Sequence, residues 1–135
     1  MRDGPIGGVL GRWLGPGAHW HTKRARRSFA AGRPVVFAGA VLGDRPYCAP
    51  WAGHLHARPG ELHSSAERVG APAEPRPLPL EQLELVLVRA RLISDPQAIA
   101  GHWRVAECRD GRARVLVAAA PGHLEIVLGL LRGRL

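Results

Sequence analysis

A chain of 135 residues has the size of a single domain and can bury roughly two thirds of the surface its unfolded form exposes, enough for one real core. Nineteen Lys and Arg against eleven Asp and Glu give a net charge of +8 and a pI near 11.3, which predicts attraction to phosphate-rich surfaces, either nucleic acid or anionic lipid. No run of about eighteen apolar residues occurs, so the chain as written is expected to hold no spanning helix and to be soluble.

Residues 1–22 scatter Val9, Leu10, Trp13, Leu14 and Trp20 among six glycines and two prolines, a pattern too broken for a stable helix. Lys23-Arg24-Ala25-Arg26-Arg27 follows, the densest charge in the sequence. Residues 1–32 are therefore expected to form a flexible basic N-terminal segment, and residues 33–135 the folded domain.

From Pro34 onward, short apolar runs alternate with turn residues, the signature of a β-rich domain. Val35 to Leu42 reads as a strand closed by Gly43-Asp44. Trp51 to Ala57 reads as a second, with Trp51, Gly53, Leu55 and Ala57 on one side. Pro59-Gly60 then turns the chain into a third strand over Glu61 to Ser65. Between Ala66 and Pro79 the prolines at 72, 75, 77 and 79 predict a loop or an edge excursion. Leu83 to Ile93 is the longest candidate strand, although the helix formers around Glu81-Gln82-Leu83-Glu84 also allow a helix over Leu80 to Arg89. His102 to Cys108 and Arg112 to Ala120 read as a hairpin joined by Arg109-Asp110-Gly111. After Pro121, Leu124, Val127, Leu128 and Leu131 recur at helical spacing, with Glu125 early and Arg132 and Arg134 late, which predicts a terminal amphipathic helix covering a sheet face or plugging an open end. The fold class is thus mostly β (α+β), a small antiparallel β-barrel or sandwich with one C-terminal helix.

The run Trp51-x-Gly53-x-Leu55, the turn Pro59-Gly60-Glu61-Leu62, then Trp103-Arg104-Val105, Asp110-Gly111 and a Leu-rich last helix resemble the pattern of PH-like and GRAM-like domains. The chain is also similar to a small actinobacterial family of unknown function whose members place such a domain behind a membrane anchor and a basic juxtamembrane run; Arg24 to Gly32 is similar to that run. The resemblance implies a PH-like fold more than an activity, and the chain as written carries no such anchor, so either it starts late or it differs from that family in being soluble. The resemblance implies no headgroup specificity, because residues 121–135 lack the last-helix Trp of PH domains and no phosphoinositide-binding Lys and Arg pattern stands between Val35 and Leu62.

Few residues suggest chemistry. His19 with His21 and His54 with His56 are i, i+2 pairs that a strand would point to one side, and a metal would need a third ligand such as His63, Cys48 or Cys108. The two cysteines lie 60 residues apart without a CxxC partner and read as small buried hydrophobes. None of Ser28, Ser64, Ser65 and Ser94 sits in a nucleophile elbow, and no phosphate-cradling glycine motif follows a strand. Glu81 with Glu84 and Glu107 with Asp110 read as surface charge, Trp51 and Trp103 as core. No catalytic residue, cofactor or bound metal is therefore expected.

The expected function is that of a non-enzymatic interaction module in the cytoplasm, peripheral to the membrane through Lys23, Arg24, Arg26, Arg27, Trp13 and Trp20, with an anionic membrane surface or another protein as partner. The alternative is a nucleic-acid binder using a sheet face formed by Arg89, Arg91, Arg104, Arg112 and Arg114. A second alternative is a small enzyme whose site gathers His54, His56 and Glu107 from distant positions.

Overall fold

The computed structural model describes residues 18–66 and 74–133, with side chains from residue 23 onward. Their order is α1 (Ala18–Ala30), β1 (Val35–Gly43), β2 (Gly53–Arg58), β3 (Glu61–Ser65), β4 (Arg76–Pro77), β5 (Leu83–Ala90), β6 (Arg104–Asp110), β7 (Ala113–Ala119) and α2 (Pro121–Leu131). The strands form one sheet in the order β4-β3-β2-β1-β7-β6-β5, and every neighbouring pair is antiparallel. β4 and β5 are its two edges, so the sheet does not close into a barrel.

β1 joins the two halves of the sheet by dividing its own length. Val35 to Gly39 pair with β2, and Gly39 to Gly43 pair with β7. Its side chains alternate between two buried layers. Val35, Phe37 and Val41 enter the main core with Leu55, Leu62, Val115 and Val117, beneath Leu124, Val127 and Leu128 of α2 and Phe29 of α1. Phe37 stacks on the His123 ring, with centroids 4.7 Å apart. Ala40 and Leu42 enter a smaller layer on the opposite face, where Ile99 and Trp103 from the β5–β6 connection cover Val105, Leu116 and Ala118. A strand buried on both faces carries apolar residues at every position, and the sequence of β1, VVFAGAVLG, does so.

α2 lies on the sheet as the periodicity predicts, but Ile126 and Leu130 are buried as well as Leu124, Val127 and Leu128, while Leu131 is half-buried. The reason is α1, which packs along α2 and buries a second side of it. That helix was not expected, because residues 1–32 read as a flexible segment. Arg, Lys and Ala are good helix formers, and the helix ends in a Schellman motif: the Arg33 N–H donates to the Ser28 carbonyl at 2.9 Å and the Gly32 N–H to that of Phe29 at 2.9 Å, with Gly32 at φ +83°. Residues 1–17 of that segment, including Trp13, lie outside the described residues.

Three further expectations shift. Leu80 to Arg89 is not a helix, and β5 ends at Ala90 rather than Ile93, because the chain turns at Leu92, whose N–H donates to the Asp95 carboxylate at 2.7 Å and whose carbonyl accepts the Asp95 N–H at 3.0 Å. The β6–β7 loop is Gly111-Arg112 rather than Arg109 to Gly111, since Arg109 and Asp110 still pair with Arg114 and Ala113; Gly111 supplies the positive φ of +64° that a two-residue hairpin requires. Trp103 is buried as expected, whereas Trp51 is 36% exposed. β2 begins only at Gly53, where the chain passes so close to Ser65 that a Cβ would overlap the Ser65 carbonyl oxygen, and Trp51 is left in the preceding loop.

Replacing Gly53 by Ala therefore forces backbone apart at the start of the β2–β3 ladder. Urea denaturation of G53A is expected to show a loss above the roughly 1–3 kcal/mol typical of overpacking. Gly101→Ala, whose Cβ would meet nothing within 4 Å, is expected to stay within about 0.5 kcal/mol of the parent.

Candidate functional site

The most concentrated charge in the described residues lies on α1. Ala25 and Phe29, four positions apart, form the stripe that faces the core, and Phe29 is only 4% exposed. Lys23, Arg24, Arg26 and Arg27 fall on the arc away from that stripe and are exposed. Lys23 and Arg27 stand at i, i+4, and Lys23 with Arg26 and Arg24 with Arg27 at i, i+3, so like charges are neighbours, each pair costing the helix roughly 0.2–0.5 kcal/mol. No acidic residue stands in the first turn to offset them. Arg33, just past the cap, is also exposed, and a shallow depression of about 630 Å³ runs between Lys23, Arg24, Arg27, Ser28 and Arg33. Trp20 belongs to the first turns of the same helix. Four of the six residues expected to contact an anionic surface are thereby brought together on one rigid element.

The sheet arginines are arranged otherwise. Arg89 donates from Nε to Glu107 at 2.9 Å and from both terminal nitrogens to Asp95 at 2.7 and 2.9 Å, leaving 14% of its side chain exposed. Arg114 donates to the other oxygen of Glu107 at 2.9 Å. Arg91 points along the β5–β6 connection and donates to the carbonyls of Ile99 and Leu92. Arg104 pairs in register with Ala90 and Ala119 on the helix side of the sheet, opposite to Arg89, and Arg112 lies in the hairpin loop. The five do not share a face, and Arg89 and Arg91 are engaged in bonds that hold the β5–β6 connection in place.

Glu107 and Asp110 are likewise not plain surface charge. Arg89 and then Arg114 hold the Glu107 carboxyl below its usual range. Asp95, 8% exposed, is drawn down to about 2, first by Arg89 and also by the Leu92 N–H, which donates to it at 2.7 Å. Asp110 accepts the Tyr47 hydroxyl at 2.7 Å, and burial followed by that bond pushes the phenol above its ordinary range. The sequence signal for Asp95 was the Asp95-Pro96 dipeptide, a turn opener. Its pairing with Arg89 depends on where β5 ends.

The histidines sit elsewhere. His54, His56 and His63 lie half-buried on β2 and β3, on the sheet face away from the helices. Glu107 is three strands away across β1 and β7, about 14 Å at the usual strand spacing, so the distant trio is not assembled. Among the described residues no three His, Cys, Asp or Glu side chains stand close enough to share a metal ion. His56 Nε2 lies 2.9 Å from the hydroxyl of Ser65, which is 7% exposed.

A cleft of about 550 Å³ opens where β2 parts from β1, bordered by Tyr47, Cys48, Trp51, His54, Ser65 and Arg76. Burial raises the Cys48 thiol, and raises that of the fully buried Cys108 to about 11, so neither is an activated thiolate. Cys48 is half-buried rather than buried. No helix among the described residues is long and apolar enough to cross a membrane. Comparison with protein-family models, curated proteins and solved structures finds no match to this chain.

Because the Asp95 carboxyl lies lower in the folded chain than the ordinary value of 3.8, its contribution is complete above that value and disappears as pH falls through about 2. Thermal unfolding followed from pH 6 to pH 2 is expected to show a loss of about 2 kcal/mol from this group, and D95N is expected to flatten that part of the curve while lowering stability at neutral pH.

Proposed function

We propose that this domain is a non-enzymatic interaction module that seats the outer face of α1 on an anionic membrane surface. The observation that carries the reading is the docking of α1: Phe29 fixes the helix to the core, so Lys23, Arg24, Arg26 and Arg27 face outward together. The like-charge repulsion among them is relieved when a polyanionic surface neutralises them. Each such cation contributes about 1 kcal/mol near an anionic leaflet, so four give weak, reversible and salt-sensitive attachment. The similarity of Arg24 to Gly32 to a basic juxtamembrane run, and of the strand pattern to PH-like domains, points the same way.

The chain is expected to co-sediment with vesicles containing phosphatidylserine at low salt, less so at physiological salt, and not with phosphatidylcholine alone. Arg26→Glu with Arg27→Glu, both on exposed positions, is expected to abolish binding without changing the unfolding midpoint by more than a degree or two. Equal binding to neutral vesicles, or full binding by the charge-reversed chain, overturns the reading. A chain that ignores every vesicle but retards a nucleic acid would move the cationic face to a phosphate backbone.

A further inference from the structure

The two edges of the sheet are built differently. β4 is two residues long, Arg76–Pro77, and its proline removes a backbone donor, so this edge is blunted against further pairing. β5 is eight residues long, contains no proline or lysine, and among the described residues no strand pairs with its outer side. Exposed large apolar side chains gather there. Val86 is 50% exposed, Leu87 43%, Leu92 50% and Ile93 100%, and the fifth such residue among those described, Trp51, borders the cleft. A long apolar strand edge open to water is a site for adding another strand.

From this asymmetry we infer that β5 pairs antiparallel with β5 of a second copy of this chain about a two-fold axis. Head-to-tail addition would need the β4 edge, and its proline and short length deny it, which leaves the isologous contact. The register follows from the strand itself. Pairing the full length of β5 with its copy sets Leu83 opposite Ala90, Glu84 opposite Arg89, Leu85 opposite Val88 and Val86 opposite Leu87.

In a regular strand of eight residues that register would oppose side chains from different faces, because faces alternate with period two. Here the bulge between Leu85 and Leu87 inserts one residue and restores the match. Leu85 pairs with Cys108 and Val88 with Ala106, both core-facing, whereas Glu84 and Arg89 pair with Arg109 and Val105 on the other face. The bulge that would blunt a straight edge thus makes this one self-complementary over its whole length. It also sets apolar residues against one another in the middle of the strand, where Val86 and Leu87 are both exposed. Leu92 and Ile93, just beyond the strand, would then lie alongside the opposite end of the partner's β5.

Sedimentation equilibrium of the full chain is expected to give a dimer that dissociates on dilution. Leu87→Lys, at an exposed position, is expected to give a monomer with an unchanged far-UV spectrum and unfolding midpoint. Val86→Cys stands next to the axis and is expected to cross-link between copies under an added thiol oxidant. Glu84→Cys, opposite Arg89, is expected not to, and the parent chain under the same oxidant controls for Cys48 and Cys108. A monomer at all concentrations overturns the inference and frees the edge for another protein's strand. A dimer that survives Leu87→Lys, or that cross-links through position 84 and not 86, also overturns it. Vesicle binding plays no part in these readouts, so the membrane reading stands or falls separately.

Discussion

The structure depends on the division of β1 between two partners. Its first five positions hold β2, and through it β3 and β4; its last five hold β7, and through it β6 and β5. Gly39 is common to both ladders, and a Cβ there would stand 2.6 Å from Leu55 Cδ1 and 3.0 Å from the Ala118 carbonyl oxygen. No other strand among the described residues connects the halves, so the core beneath α2 and the layer beneath Trp103 are both organised from this one strand. The cleft beside Tyr47 and Trp51 is a geometric consequence, since β2 leaves β1 at Gly39 and the connection filling the gap returns to β1 by a backbone bond from the Ala49 N–H to the Val41 carbonyl at 2.9 Å.

The second organising element is Arg89. A single guanidinium satisfies Asp95 with two donors and Glu107 with a third, and so ties the β5–β6 connection to the sheet it covers. A buried carboxylate without that partner would cost several kcal/mol, which is why the cluster acts as one unit. Arg89 and Arg91 are thereby spent on internal hydrogen bonds, whereas the exposed cations of α1 face outward from a helix whose Phe29 is buried in the core. High Arg content alone does not distinguish the two uses; the partners within reach do.

Strand positions, the Pro59-Gly60 turn, the late hairpin and the terminal helix could be read from sequence because each rests on local information: alternation, turn chemistry and helical spacing within a few residues. Trp103 was legible as core for the same reason. The misreadings share one cause. α1 looked like a flexible arm because no local pattern announces the surface that α2 supplies to Ala25 and Phe29. Trp51 looked like a strand residue because alternation continues through it, yet the strand can begin only where glycine admits the Ser65 backbone.

What the sequence determined by itself was therefore the kind of protein this is: one basic, mostly β domain with strands of known place and a closing helix, since hydrophobic period and turn residues act over short distances. What only the tertiary structure decided was which charges lie inside and which stand on the surface. Arg89 and Arg91 are consumed by Asp95, Glu107 and the Ile99 carbonyl, partners up to eighteen positions away that the fold brings to hydrogen-bond distance, and the cations of α1 face solvent because Phe29 is buried against a helix ninety residues further on. Pairing of buried charge is a property of three-dimensional neighbours, and no local pattern encodes it.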